Sequence, residues 1–201
     1  MLKTLFVLFV AAAGVGCAQP LSRGERDRAM SELHATRKRL LDAIASLSEA
    51  QWKFKPAPEV WSIAQIADHL VVSEAELFGM IQNKILTSPA DPAKGGAKRV
   101  KDDEVLKVMP DRSQKRTAPD FLAPAGKWPA QSAAVSEFKK RRDANIVYVG
   151  NTQDELRSHF GEHRAVGNLD AYQWFLVIAS HTERHVRQIE EVKAGAKYPK
   201  K

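Results

Sequence analysis

The sequence has a single cysteine, Cys17, among 201 residues, and this scarcity excludes two classes of protein. One thiol cannot form an internal disulfide, so the fold is not a small disulfide-stapled scaffold. Cys17 lies at the end of a predicted leader, where it is either removed or lipidated, so it supplies no thiol ligand to the mature domain. Any metal bound by that domain must therefore use nitrogen or oxygen ligands.

Long apolar runs are also missing, and this absence excludes a stable membrane anchor. The run from Leu5 to Gly16 is too short to span a bilayer, and Lys3 precedes it with a positive charge. This pattern predicts a signal peptide over residues 1–18 and a mature domain over 19–201. We expect a periplasmic or extracellular protein with no transmembrane span in the mature chain.

Two ways of processing this leader compete. The small residues Gly16 and Ala18 favour cleavage after Ala18. The alternative is a lipoprotein anchored through Cys17, but Gly14 stands where such a leader normally has a large aliphatic residue. We favour cleavage after Ala18.

Aromatic residues are absent from the basic stretches of the chain. The formal net charge is +7, and much of the excess lies between Lys94 and Arg116 and in the run Lys139 to Arg142. Neither stretch contains an aromatic side chain that could stack on a base, and export would separate the chain from cytoplasmic DNA. We interpret these stretches as solvated surface and expect no nucleic-acid partner.

Four segments have apolar residues every three or four positions, which is typical of amphipathic helices. The predicted helices are Ser22 to Leu47, Ser62 to Leu86, Gln131 to Val149 and Leu169 to Ala194. No internal repeat and no alternating pattern of strands competes with them. With 44% apolar and 27% charged residues, the chain fits one all-α domain, a four-helix bundle.

The connections between these helices differ in length. Residues 87–129 are rich in proline and lysine and predict a long crossover with little regular structure, tethered by apolar residues such as Val105, Phe121 and Leu122. A capping pattern from Thr152 to Glu155 predicts a short additional helix. Residues 161–168 are expected to form a loop.

Three histidines on two of the predicted helices form a candidate metal site. His181 and His185 are four residues apart, so both imidazoles lie on one helix face, where they can chelate one ion. His69 lies on the second helix, which a bundle can bring alongside the fourth. Each residue alone could instead be an ordinary hydrogen-bonded core histidine.

The sequence around these histidines resembles the DinB family. Its second-helix motif is similar to WSIAQIADHL, residues 61–70, and its closing helix is similar to LDAYQW at 169–174 followed by HTERHVRQI at 181–189. The resemblance implies a four-helix bundle, often a homodimer, with His69, His181 and His185 as ligands of zinc, nickel or another divalent ion.

The resemblance leaves three functions open. Family members include supposed metal-dependent hydrolases, an isomerase and thiol-dependent S-transferases, and an open position on a three-histidine ion makes hydrolysis of a small-molecule substrate the simplest reaction. A non-catalytic metal-binding or ligand-binding envelope protein is the second reading. A thiol S-transferase is the third, although the thiols used by known relatives are cytoplasmic and this chain is predicted to be exported.

Three other residues near the motifs are candidates for a supporting role at the site. Asp68 and Gln188 are candidate hydrogen-bond partners of the ligand imidazoles, with Gln188 the better placed. Arg184 could attract an anionic substrate, although an exposed salt bridge is the simpler expectation. The tryptophans 52, 61 and 174 are expected to fill the core.

The remaining histidines are expected to lie outside the site. His159 and His163 are also four apart, but Gly161 between them should break a helix, so we interpret them as a solvated loop pair. His34 on the first helix has no partner four residues away and is expected at the surface.

Overall fold

The computed structural model describes residues 20–91 and 100–200, and the predicted signal peptide with Cys17 lies outside these residues. The described helices are α1 (Arg23–Ile44), α2 (Glu49–Lys53), α3 (Ile63–Met80), α4 (Asp102–Val108), α5 (Gln131–Asn151) and α6 (Ala171–Lys193). A π-helical turn, Ile81–Ile85, extends α3, and a 3₁₀ turn spans Asp120–Leu122. Strands β1 (Phe160–His163) and β2 (Gly167–Asp170) form one antiparallel hairpin.

Helices α1, α3, α5 and α6 form the predicted four-helix bundle. Capping boxes begin α1 and α3, formed by Ser22 with Glu25 and by Ser62 with Gln65. In each box the serine hydroxyl accepts the backbone N–H of the third helical residue, whose side chain accepts the backbone N–H of the serine. Every residue from position 171 to 180 is buried, so α6 runs through the core as its apolar sequence predicts. None of the described helices has an apolar stretch long enough to cross a membrane.

The first helix is shorter than predicted, and a separate helix follows it. Helix α1 ends at Ile44, and Ser46 has a positive φ of 54°, which breaks the helical path before Leu47. Ser48 and Gln51 then form a capping box of their own and begin α2. The prediction of one helix from Ser22 to Leu47 was therefore wrong at its C-terminal end.

The predicted short helix at Thr152 is absent from the structure, which was a second error. The Thr152 hydroxyl accepts the N–H of Asp154, two residues on, and donates to the Asp154 carboxylate. These bonds make a tight local turn that competes with the helical capping geometry. The chain continues through turns to β1.

The predicted loop at 161–168 was also wrong, because most of it lies in the hairpin. Its strands pair Phe160 with Asp170 and His163 with Gly167, and Gly167 adopts a positive φ of 88° at the turn. Only Leu169 and Asp170 of the eight strand residues are buried. Strands this short, with so little burial, carry no alternating pattern that a sequence could reveal.

The crossover after α3 has more regular structure than the sequence predicted. It contains α4 and the 3₁₀ turn, and it is anchored by the buried side chains of Val105, Met109 and Leu122. Phe121, expected to tether it, is instead 60% exposed. Residues 92–99 of this crossover lie outside the described residues.

A buried ion pair connects all four bundle helices. The Arg142 guanidinium of α5 donates to the Glu74 carboxylate of α3, with Nε 2.9 Å from Oε2, and both side chains are at most 2% exposed. The same guanidinium donates to the Leu33 carbonyl and Thr36 hydroxyl of α1, and to the Thr182 hydroxyl of α6. Since the charges are paired and hydrogen-bonded, the core can hold them.

We expect Glu74→Ala to lower the free energy of unfolding by about 3–5 kcal/mol, because it leaves the Arg142 charge buried and unpaired. Urea unfolding would measure this loss. Asp143, the residue after Arg142, forms an exposed ion pair with Arg37. Asp143→Ala should lower the free energy of unfolding by less than about 1 kcal/mol. Equal losses in the two variants would contradict the role assigned to the buried pair.

Candidate metal centre

Helix α3 carries His69 on its buried face. Ile66, three residues before this histidine, and Leu70, directly after it, are both fully buried. His69 itself is 1% exposed, so its imidazole has left bulk water and needs partners inside the protein.

Helix α6 brings His181 and His185 to the same point. The Nε2 atom of His69 lies 3.2 Å from that of His181 and 3.1 Å from that of His185. The Nε2 atoms of His181 and His185 are also 3.1 Å apart. His185 is 7% exposed, whereas His181 is half-buried. The structure therefore brings together the three histidines that the sequence analysis selected.

Two carbonyl oxygens fix the tautomers of two of these rings. Nδ1 of His69 lies 2.5 Å from the backbone oxygen of Leu122, and Nδ1 of His185 lies 2.8 Å from Oε1 of Gln188. A carbonyl oxygen only accepts, so in both rings Nδ1 must carry the proton. The Nε2 atoms of His69 and His185 then present lone pairs to each other.

Burial keeps all three imidazoles neutral. Desolvation lowers the pKa of His69, and it lowers the pKa values of His181 and His185 well below the ordinary value. Neighbouring histidines lower the pKa values of His181 and His185 further, because two adjacent imidazolium charges would repel each other. Neutral imidazole is the form that binds metal.

This donor set fits a divalent cation. At most one proton, on Nε2 of His181, is left to share among three nitrogens that lie within 3.2 Å of one another. Three nitrogens bonded at 2.0–2.1 Å to a tetrahedral ion would be separated by about 3.3 Å, close to the spacing found. No second cluster of three metal-ligating side chains occurs in residues 20–91 and 100–200.

Trp61 covers one side of the centre. Its ring centroid lies 5.0 Å from that of His69, and it stacks on His185 at 6.4 Å with the planes 23° apart. Trp61 also packs against the apolar core, as the sequence predicted for it. Its half-buried ring therefore joins the core to two of the three imidazoles, a contact that the sequence did not predict.

The candidate partners of the imidazoles have different outcomes. Gln188 accepts from His185, as expected for the better-placed of the two. Asp68 bonds no imidazole, and its carboxylate instead accepts four backbone N–H groups of residues 125–128. The expectation for Arg184 was wrong: it is 5% exposed and donates to the carbonyls of Asp111 and Gln114.

The other histidines do not belong to the cluster, although His163 lies close enough to lower the pKa of His181. His34 is exposed and contacts Arg37. His159 bonds the carbonyl of Ser88 through Nδ1, and His163 packs edge-on against Trp174, with ring centroids 5.2 Å apart. Both residues are half-buried, so the prediction of a solvated loop pair was wrong. Burial and two nearby arginines lower the pKa of His163 to about 4.

One functional group had no sequence pattern that could reveal it. The Leu122 carbonyl that accepts the His69 proton is a backbone atom in the crossover, 53 residues from its partner. Asp68 offered an indirect indication, because a carboxylate beside a buried histidine must itself find donors. Those donors are in the same crossover segment.

The model of the DinB superfamily matches residues 32–189, which include all three histidines. The chain belongs to the DinB superfamily. This DinB protein is 26% identical over 164 residues to the uncharacterized protein YuaE of Bacillus subtilis (strain 168), covering 82% of this chain and 96% of YuaE.

A solved structure supports the fold independently. YfiT from Bacillus subtilis, described as a probable metal-dependent hydrolase with an unusual four-helix bundle topology, superposes with a TM-score of 0.56. The match covers 86% of this DinB protein and 88% of YfiT, at 14% identity. At that identity the likeness establishes the four-helix architecture.

We expect Gln188→Leu to weaken binding of a divalent ion by roughly 10- to 100-fold, because the His185 ring loses the acceptor that orients it. A competition titration with a chromophoric chelator would measure this affinity. Glu190→Leu, at an exposed position on the same helix, is the matched control and should bind like the wild type. Unchanged affinity in Gln188→Leu would show that the bond does not orient His185.

Proposed function

We propose that this DinB protein binds one divalent ion, zinc, through His69, His181 and His185 and hydrolyses a small-molecule substrate with it. The observation that carries the proposal is the pair of tautomers set by Leu122 and Gln188, which aim two unprotonated nitrogens at a third. Zinc suits three neutral imidazoles in tetrahedral geometry. The description of YfiT as a probable metal-dependent hydrolase supports the same reaction class.

The residues around the centre divide the work of such a reaction. Zinc held by His69, His181 and His185 would supply Lewis acidity for hydrolysis. The Leu122 carbonyl and Gln188 hold the His69 and His185 rings in place and make their Nε2 atoms better donors. Trp61 packs against the His69 and His185 rings, and His181 is the least buried of the three histidines, so substrate would approach from the side of His181.

Metal analysis of the purified mature protein tests the ligand set and the metal together. We expect about one equivalent of zinc in the wild type and a large loss in His181→Ala and His69→Ala, because two imidazoles hold the ion far more weakly than three. His34→Ala, which removes an exposed histidine of α1, should keep the full equivalent. Nickel in place of zinc would correct the metal, and full occupancy in His181→Ala would contradict the site.

Activity screening separates hydrolysis from the two other readings. We expect hydrolysis of at least one ester, amide or related substrate by the zinc-loaded wild type and none by His181→Ala. A non-catalytic ion that closes the core would instead give no turnover and a large loss of thermal stability on chelation. A thiol transferase would show a spectral change when a thiol is added to the cobalt-substituted site.

We also propose that the chain works outside the cytoplasm after removal of residues 1–18. The charged start and short apolar run of the leader support this location. N-terminal sequencing of the protein from its native cells should begin at residue 19. A mature chain that begins at Met1 would contradict export, and one that begins at a lipid-modified Cys17 would establish the lipoprotein route.

A further inference from the structure

Asp68, next to His69 on α3, makes an unusual set of contacts. Its side chain is 2% exposed, and its two oxygens accept the backbone N–H groups of residues 125, 126, 127 and 128 at 2.5 to 3.2 Å. Bonds from amides to a carboxylate are stronger than those between neutral groups. Asp68 therefore binds the crossover segment 122–129 to α3.

The crossover backbone is shaped to receive this carboxylate. Four successive N–H groups can converge on one anion only where the chain turns sharply, as in the backbone concavities that bind phosphate. Gly126 provides the turn, with a positive φ of 67° that favours glycine. The carboxylate thus occupies an anion site formed by main-chain atoms.

The same segment holds the His69 imidazole. Within the 3₁₀ turn the N–H of Leu122 bonds Pro119 and that of Ala123 bonds Asp120, while the Leu122 carbonyl accepts the His69 proton. Only two residues separate Leu122 from Ala125, where the Asp68 contacts begin. Ala123 is extended, with φ −60° and ψ 149°, and Pro124 has a ring-locked φ, so this link is stiff.

We infer that Asp68 is a positioning residue of the metal centre: it fixes the crossover segment so that the Leu122 carbonyl holds His69 in the tautomer and orientation that bind metal. Two adjacent side chains of α3 hold one short segment of the crossover. Asp68 binds the backbone amides of that segment, and His69 binds its Leu122 carbonyl. This inference rests on the proposed metal site. It adds a residue that touches neither the ion nor any ligand ring.

A second anchor on the same segment allows a matched control. The indole N–H of Trp52 donates to the Pro129 carbonyl at 2.9 Å, at the far end of the segment from Leu122. Trp52→Phe removes this bond and keeps a buried aromatic ring. It loosens the segment without touching the Asp68 contacts or the link to Leu122.

The test compares zinc affinities of the wild type, Asp68→Asn and Trp52→Phe by chelator competition, with thermal unfolding measured alongside. Asparagine keeps the shape, but it removes the charge and turns an amide N–H₂ toward backbone donors. We expect zinc binding to weaken at least tenfold in Asp68→Asn and less than threefold in Trp52→Phe, with a changed cobalt absorption spectrum only in Asp68→Asn. Wild-type affinity in Asp68→Asn, or equal weakening in both variants, would overturn the inference.

Hydrogen exchange in the wild type gives a test that needs no variant and decides the matter if Asp68→Asn does not fold. Coupling between sites is reciprocal, so an ion on His69 must also stabilise the segment that Asp68 holds. We expect zinc to slow exchange of the amides at 125–128 at least tenfold and to leave those of the hairpin 160–170 unchanged. Unchanged exchange at 125–128 would overturn the inference.

The two proposals fail in different ways. A wild-type protein that takes up neither zinc nor cobalt contradicts the proposed function. A wild type that binds zinc, alongside an Asp68→Asn variant that binds it equally well, contradicts only the role of Asp68.

Discussion

Three neutral imidazoles face one another inside a region that water barely reaches, and the rest of the site is arranged around that constraint. The Nδ1 atoms of His69 and His185 donate to the carbonyl oxygens of Leu122 and Gln188, so the three Nε2 atoms have at most one proton to share. Lone pairs at 3.1 to 3.2 Å repel in a medium of low dielectric constant. A divalent cation coordinated by the three Nε2 lone pairs would remove this repulsion, so the arrangement favours binding of an ion.

The bundle has a separate source of cohesion that involves no imidazole. The Arg142 guanidinium joins Glu74 of α3 to acceptors on α1 and α6, and so fixes the relative positions of the helices. Its contact on α6 is Thr182, the residue after His181. The helix that carries two of the three histidines is therefore held in place by core polar bonds, and the site is preorganised by the fold.

Much of this architecture could be predicted from sequence because its determinants are local. The capping serines 22 and 62 and the apolar periodicity specify two bundle helices, and the four-residue spacing of His181 and His185 specifies a shared face. The α2 and α6 caps, at Ser48 and Asp170, obey the same rule and could have been identified. Thr152 obeys it too and forms a turn, because the Asp154 carboxylate competes for its hydroxyl.

What could not be predicted depends on atoms or partners far away in sequence. The carbonyl of Leu122 has no side-chain signature, and the donors to Asp68 are main-chain groups nearly sixty residues distant. The burial of Glu74 and Arg142 was equally hidden, since charged residues are read as surface until a partner is known. In each case a contact between distant segments overrode the local pattern.

The partial exposure of His181 bears on the order of assembly. Because the core polar bonds of Arg142 involve none of the three histidines and His181 is the least buried of them, we expect metal to enter the centre after the bundle has folded. Affinities of such sites rise from manganese to copper, so a protein loaded last takes the metal that its surroundings make available. The compartment in which the chain completes its folding would then select the ion as much as the three ligands do.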